Sequence, residues 1–403
     1  EMCIRDRLGF LNYLRLSAGV DVSGNDDLPY YATRSYFASS DYMGLASGLT
    51  IAGIGNEKIQ WERTRRINIG VDANLLNNRL GVRFNYFRSA TDHLLMWQEM
   101  SYLSGLDKTW GNGGKLENRG FDVEATGVVW ASPSWQWQVG ASVGHYKNKV
   151  TALPDGQRYM DTEILGATVR TEIGRPANLF YGYKAQGVFS TSAEAQAAGL
   201  YIHDDNGVDR TAFEAGDMHF ADLDGDHFIT EADRMVIGDP NPDIYGNIFT
   251  SVQYRRLRLD VRFNYSLGND IYNYTRQQLE SGSRFMNQTT ALARRWQMEG
   301  QQTDIPRLSF QDPMGNSRFS DRWIEDGSYL RLKTVTLSYD LPVSSTFLQG
   351  LQFWVQANNV VTLTRYLGSD PEGTALSAVL GQGIDAGSLP QSRNFMVGIK
   401  INL

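Results

Sequence analysis

The chain has 403 residues, a net charge of -7, 41% hydrophobic residues and 12% aromatics, among them 20 Tyr and 9 Trp, alongside 40 Gly. The acidic balance offers no basic stripe to neutralise phosphates, which argues against a nucleic-acid partner. No apolar run is long enough to span a bilayer as a helix, so any membrane signal must lie in alternation, and Tyr, Trp and Gly at these levels favour β structure.

The one cysteine, Cys3, sits in the opening EMCIRDR. Met2 to Arg7 is what translation of a transposon-end sequencing adapter yields, so residues 1–7 are expected to be a library scar outside the fold, with 8–403 the folded part and any signal peptide missing from a truncated frame. With the scar set aside no cysteine remains, which removes disulfides, thiolate metal sites and a cysteine nucleophile.

Period-two alternation then dominates. Ile67, Ile69, Val71, Ala73 and Leu75 alternate with polar residues, as do Leu80, Val82, Phe84 and Tyr86, and later Trp135, Trp137, Val139, Ala141 and Val143. Asn77-Asn78 and Ser132-Pro133-Ser134 read as short turns, and 95–116 as a long connection. Within that connection GNGGK (111–115) lacks the context of a phosphate loop and reads as flexible external chain. Between Val150 and Tyr245 one crossing stands out, near Tyr181 to Phe189. Antiparallel parity asks for a second, which is sought within 162–174.

The stretch DLDGDHFITEAD, Asp222 to Asp233, places acidic residues at positions 1, 3, 5 and 12 of an EF-hand-like calcium loop and Ile229 at position 8. Position 6, where a glycine normally makes the sharp turn, holds His227, and the flanks are not paired amphipathic helices. Beyond it, Leu257, Leu259, Val261, Phe263 and Tyr265 face one way and Arg258, Asp260, Arg262, Asn264 and Ser266 the other, after a short Arg255-Arg256 turn. Residues 271–298 are the one helix-like window, inside a long 267–328 connection; another runs over 362–392. Phe395, Val397, Ile399, Ile401 and Leu403 alternate to the last residue.

Strands in soluble domains average about 5–6 residues, whereas a tilted bilayer-crossing strand needs about 9–11. Several patterns here meet the longer figure, and short turns alternate with long loops as in outer-membrane barrels. The expected fold is therefore all-β, a transmembrane antiparallel β-barrel with long external loops. On such a barrel Arg83, Arg258, Asp260, Arg262 and Lys333 (with Lys400) would line the lumen and offer partners to hydrated solutes. No catalytic constellation is present. His203 beside Asp204 and Asp205, and His219 beside Asp217 and Asp222, are read as loop polarity, and no enzyme activity is expected.

The stretches LRLSAGVDVSGN (14–25), IQWERTRRINIGVDANLLNNRLGVRFNYFRSATDHLL (59–95), LENRGFDVEA (116–125), GDMHFADLDGDHFITEADRMVIGDPNP (216–242), RRWQMEGQQTDIPR (294–307), DRWIEDGSYLRLKTVTLSYDLP (321–342) and NNVVTLTRYLGSDPE (358–372) resemble the SusC/RagA family of TonB-linked outer-membrane proteins. The resemblance implies a 22-stranded barrel of which this is the C-terminal portion, lacking the plug and TonB box. It also implies TonB-dependent import of oligosaccharides or peptides, a SusD-like lipoprotein lid, contact with the TonB complex through the missing N-terminal part, and a lipid bilayer around the strands. Family members commonly carry a DxNGDGxI segment between strands. On that pattern Asp222, Asp224, Asp226 and Asp233 would supply carboxylates and Phe228 a backbone carbonyl to Ca²⁺; the alternative is a solvated acidic turn held by Asx hydrogen bonds. A soluble carbohydrate-binding module and a passive porin are the competing functions.

Overall fold

The computed structural model describes residues 10–43, 46–101, 103, 105–106, 108–203, 209–342, 349–374 and 381–402. The expected scar at 1–7, Asp204, Asp205 and the terminal Leu403 lie outside them. The chain divides into two compact units, Glu1–Met160 with Thr171–Ala177, and Asp161–Arg170 with Asn178–Leu403.

The first unit carries five antiparallel strands, each paired with the next: β1 Leu11–Asn25, β2 Glu62–Leu75, β3 Leu80–Glu99, β4 Lys108–Ala131 and β5 Trp135–Ala152. The second carries β6 Ile244–Tyr254, β7 Leu257–Leu267, β8 Tyr329–Leu341, β9 Gly350–Thr364 and β10 Asn394–Asn402, again each paired antiparallel with the next. Their lengths meet or exceed what a tilted bilayer crossing needs. The short turns fall where the spacing predicts. Asn77 and Asn78 take φ of 58° and 63°, and the Arg79 amide donates to the Leu76 carbonyl at 3.2 Å. That is a type I′ turn, whose twist suits a hairpin and whose left-handed central residues asparagine tolerates.

The burial pattern is inverted relative to a soluble sandwich. Ile67, Ile69, Phe84, Tyr86, Ile248, Leu257, Leu259, Leu337, Tyr339, Phe353, Val355, Val397, Ile399 and Ile401 are all exposed on the strands. Among the described residues, Val150 is the only buried hydrophobic residue that lies on one of the ten strands. The others pack in the connections. One cluster gathers Tyr183, Phe189, Leu200, Phe213, Met218 and Phe220, and a second Val169, Phe180, Tyr272, Phe319, Trp323 and Ile384. Trp130, Trp135 and Trp137 stand exposed beside the 132–134 turn, as aromatic girdles do at a membrane surface.

Three sequence expectations need correction. First, among the described residues no strand between Ala152 and Ile244 joins the ten: Tyr181–Phe189 falls in two short strands, Leu179–Tyr183 and Ala185–Val188, and Ala167–Glu172 pairs with the first of them. Parity is kept with no crossing at all, and the apolar residues there serve the loop clusters. Second, the 95–116 connection is shorter, because β3 and β4 run on past it and pair Trp97 with Trp110. GNGGK is strand, interrupted by irregular register near Gly113. A Cβ on Gly111 would lie 2.1 Å from the Gln98 side chain, and one on Gly113 2.2 Å from Pro154, so these glycines admit close neighbours. Third, the helical window yields only the helix Tyr274–Glu280, capped by Asn273, and a 3₁₀ turn Thr290–Arg294.

Candidate functional site

The polar faces of the strands carry the expected lumen residues. Arg83 sits opposite Asp72 of β2 and Glu124 of β4 in register, and binds both, Nε to Oδ1 at 3.0 Å and Nη1 to Oε2 at 3.1 Å. Its side chain is 68% exposed, so these pairs orient the guanidinium and add little stability. Around it Tyr13, Arg15, Asn74 and Thr126 complete a depression of about 400 Å³.

In the second unit Arg258, Asp260 and Arg262 line one depression of about 470 Å³ together with Thr334, Thr336 and Gln356. Alternation places the three on one face, and cross-strand register brings the partners: Asp260 opposes Thr336, which opposes Gln356. Arg258 Nε bonds Asp260 at 2.9 Å, whereas Arg262 makes no ion pair among the described residues. A cation with spare donors beside threonine and amide groups can donate to hydroxyl, carbonyl or carboxylate oxygens of a solute.

Lys333 marks a register irregularity that sequence pattern does not disclose. β7 residues Arg262 and Phe263 pair with Thr334 and Leu332, leaving Lys333 extra. The apolar set of β8 thus changes parity, from Leu330 and Leu332 to Val335, Leu337 and Tyr339, without changing face. Lys333 Nζ donates to Gln391 Oε1 at 2.8 Å and lies 3.4 Å from Glu372. The neighbouring Arg331 is buried, bonding Asp370, Glu372 (2.8 Å) and Thr362 (2.9 Å). Burial raises the Asp370 carboxyl, but hydrogen bonds from Arg331 and from the Gln391 and Glu372 amides outweigh it and hold the group below its ordinary value. This cluster was missed in sequence because Arg331's partners lie 39 and 41 residues away.

The acidic loop divides. Asp222, Asp224 and Asp226 bring one carboxylate oxygen each within 4.8 Å of one another. Asp222 accepts from the Gly225 and His227 amides, Asp224 from Asp226 and Asp226 from Phe228, at 2.7–3.2 Å. The Asp226 amide lowers the Asp224 carboxyl, yet desolvation and the carboxylates of Asp226, Asp233 and Asp222 together raise it. Asp233 stands apart: fully buried, it accepts from the Leu223 and Thr230 amides at 2.7 Å each and closes a capping box. The residues fit a three-carboxylate cation site, with the twelfth position serving the backbone. Phe228 stacks its ring on His203 at 4.3 Å. Asp217 accepts from Arg307 and Asn316, and His219 stacks on Phe189 with the Glu194 carboxylate acting on it electrostatically, while the aspartates beside His203 lie outside the described residues.

Long alternating strands with unburied apolar faces, polar opposite faces and folded loops define a portion of a transmembrane β-barrel. No protein-family model matches the chain. TonB-dependent receptor P3 of Formosa agariphila is 30% identical over 401 residues, covering 95% of this chain and 39% of that receptor. The TonB-dependent receptor SusC of Bacteroides thetaiotaomicron is 24% identical over 97% of this chain and 38% of its own length. Among solved structures, the RagAB peptide importer in its closed-closed state matches with a TM-score of 0.78 at 25% identity, over 99% of this chain and 42% of that one. The chain belongs to the SusC/RagA family of TonB-dependent receptors, and it spans about two fifths of the length of these relatives. The relatives are receptors and transporters, not enzymes.

Proposed function

We propose that this chain forms part of the outer-membrane barrel of a TonB-driven importer that takes oligosaccharides or peptides under a SusD-like surface lipoprotein. The observation that carries the reading is the inverted burial: apolar side chains stand unburied along the strands while the hydrophobic clusters sit in the connections. Water would oppose such a surface and lipid would not. The lumen-face depressions with Arg83 and Arg258, Asp260 and Arg262 supply partners for a hydrated solute. A soluble carbohydrate-binding module would leave those strand faces in water, and a passive porin has no counterpart among the receptors matched.

The complete receptor should fractionate with outer membranes, need detergent for extraction, and support uptake of labelled oligomers that stops when TonB is deleted. Recovery in the soluble fraction without detergent would end the proposal; uptake indifferent to TonB would reduce it to the porin. For the acidic loop the proposed ligand is Ca²⁺ on Asp222, Asp224 and Asp226, with Phe228 contributing its carbonyl and Asp233 holding the loop's shape. Calorimetry on the receptor should detect one site at millimolar Ca²⁺ or below, and a flat titration would leave a solvated turn.

A further inference from the structure

On the strands of the first unit the apolar face ends in a row of cations. Strand register sets Arg88 of β3 opposite Arg119 of β4, and Arg119 opposite Lys147 of β5. The three continue the face that carries Phe84, Val123 and Val143, since side chains two apart on a strand point the same way. All three are exposed, whereas Ser89 and Gly120, which alternate with them, are buried. One rung further from the short turns, Arg65 and Lys149 stand exposed on the same face, with Ala90 and Glu117 between them.

The height of this row follows from strand geometry. Trp130 and Trp137 pair beside the 132–134 turn, and ten residues lead from Trp137 to Lys147. At about 3.3 Å per residue and a tilt of about 40°, that is about 25 Å across the membrane, the height of a barrel's outward apolar band. The tryptophans therefore mark one membrane surface and the cations the other. Short turns lie on the periplasmic side of such barrels, which puts the cations at the headgroups of the outer leaflet.

Like charges directly opposite one another on neighbouring strands destabilise a sheet, and the chain does little to offset them here. Glu117 meets Arg88 at 3.1 Å, while Arg65, Arg119, Lys147 and Lys149 make no ion pair among the described residues. Asp92, the next carboxylate outward, is shared between Arg63 at 3.9 Å and Lys115 at 3.7 Å. The row is also not a general property of the rim. Tyr265 lies as far along β7 as Arg88 does along β3, and its outward row continues as Leu330 and Leu363.

We propose that Arg88, Arg119 and Lys147, with Arg65 and Lys149 beside them, form a docking site for the phosphate headgroup of an outer-leaflet lipid; the inference rests on the membrane reading above. Neighbouring strands are about 4.8 Å apart, so the oxygens of one phosphate reach two adjacent cations and accept from both. The acyl chains of the same lipid then run down the face of Phe84, Val123 and Val143, which covers the apolar residues and neutralises the row with one molecule.

The test uses the complete receptor containing this chain, purified in detergent, with native mass spectrometry reading the lipid retained. The probes are monophosphoryl lipid A, the same lipid with its phosphate removed, and inorganic phosphate. The phosphorylated lipid should be retained at about tenfold lower concentration than the dephosphorylated one, the factor expected for two or more cations at an anionic headgroup. The double variant Arg119→Gln, Lys147→Gln should abolish most of that preference. Both side chains are exposed and unpaired, so the receptor should keep its heat-modified gel mobility. Arg66→Gln, on the opposite face of β2, should retain the lipid as the parent does. Equal retention of the two lipids, a preference that survives the double variant, or displacement of the lipid by inorganic phosphate at equal concentration would each overturn the site. So would loss of a SusD-like partner from the double variant with lipid retention unchanged, which would assign the row to protein. None of these results would disturb fractionation of the parent with outer membranes, whereas its recovery in the soluble fraction would remove the membrane reading itself.

Discussion

His227 occupies the loop position where an EF-hand-like turn wants glycine, and it takes the conformation glycine would, φ +68°. A side chain in that region costs about 1–2 kcal/mol, and among the described residues no hydrogen bond of the loop uses the imidazole. His227→Gly is expected to slow proteolysis between Ala215 and Gly238 and to tighten Ca²⁺ binding several-fold; faster cleavage would mean the ring supports the loop. The position was legible in sequence because the spacing of Asp222, Asp224 and Asp226 names it. Asp233 was misread for a physical reason: acidic spacing cannot tell a carboxylate aimed at a cation from one that caps its own backbone. Asp370 gives a pH prediction. Its folded pKa lies below its ordinary value, so its contribution is complete above the unfolded pKa of about 3.9 and is lost as pH falls through the lower folded value. Protease cutting within 367–391 should therefore rise only below about pH 4. Arg331→Met, which strands two acidic partners, should produce the same cutting at pH 7; equal resistance of the variant and the parent would show that the cluster does not tether this connection.

The strands were the most legible elements, because a two-residue period with one apolar face can be written in only one way along Leu257–Tyr265. What stayed hidden is the shift at Lys333: one extra residue leaves no mark in composition, and only register with β7 exposes it. The connections were hidden for another reason. Tyr181–Phe189 alternates as a crossing strand does, but its apolar residues Tyr183 and Phe189 are buried in the first loop cluster. Local pattern does not say which partner covers an apolar face. The two faces of β7 and β8 can be separated by substitution. Val261→Arg, at mid-strand on the apolar face, should cost about 2–4 kcal/mol and impair assembly. Thr336→Arg, on the polar face opposite Asp260, should assemble normally. If the heat-modified gel mobility of both variants fell equally, both faces would have to be buried and a sandwich would be the better architecture.

For the molecule as a whole, strand and connection answer to different solvents. Trp323 is fully buried in the second loop cluster, with the Arg322 guanidinium over its ring at 4.4 Å. Removing it with Trp323→Ala should cost about 3–5 kcal/mol locally. Proteolysis of the 268–328 connection should quicken while the strands keep their resistance to unfolding in detergent. Simultaneous loss of both would make the loops and strands one cooperative unit.

The placement of the hydrophobic clusters also bears on which changes such a chain tolerates over time. A side chain facing lipid needs only to be apolar, since fluid acyl chains remould around any shape, so Ile69, Leu259 and Val355 should exchange freely with other aliphatic residues. Phe180, Phe220 and Trp323 are hemmed in by fixed neighbours at near-crystalline density, where a change of a single methylene is felt. A library randomised at both sets and selected for uptake should return diverse aliphatics on the strands and near-parental volumes in the connections. The usual association of variable positions with loops and constrained ones with regular structure would then be reversed in this protein.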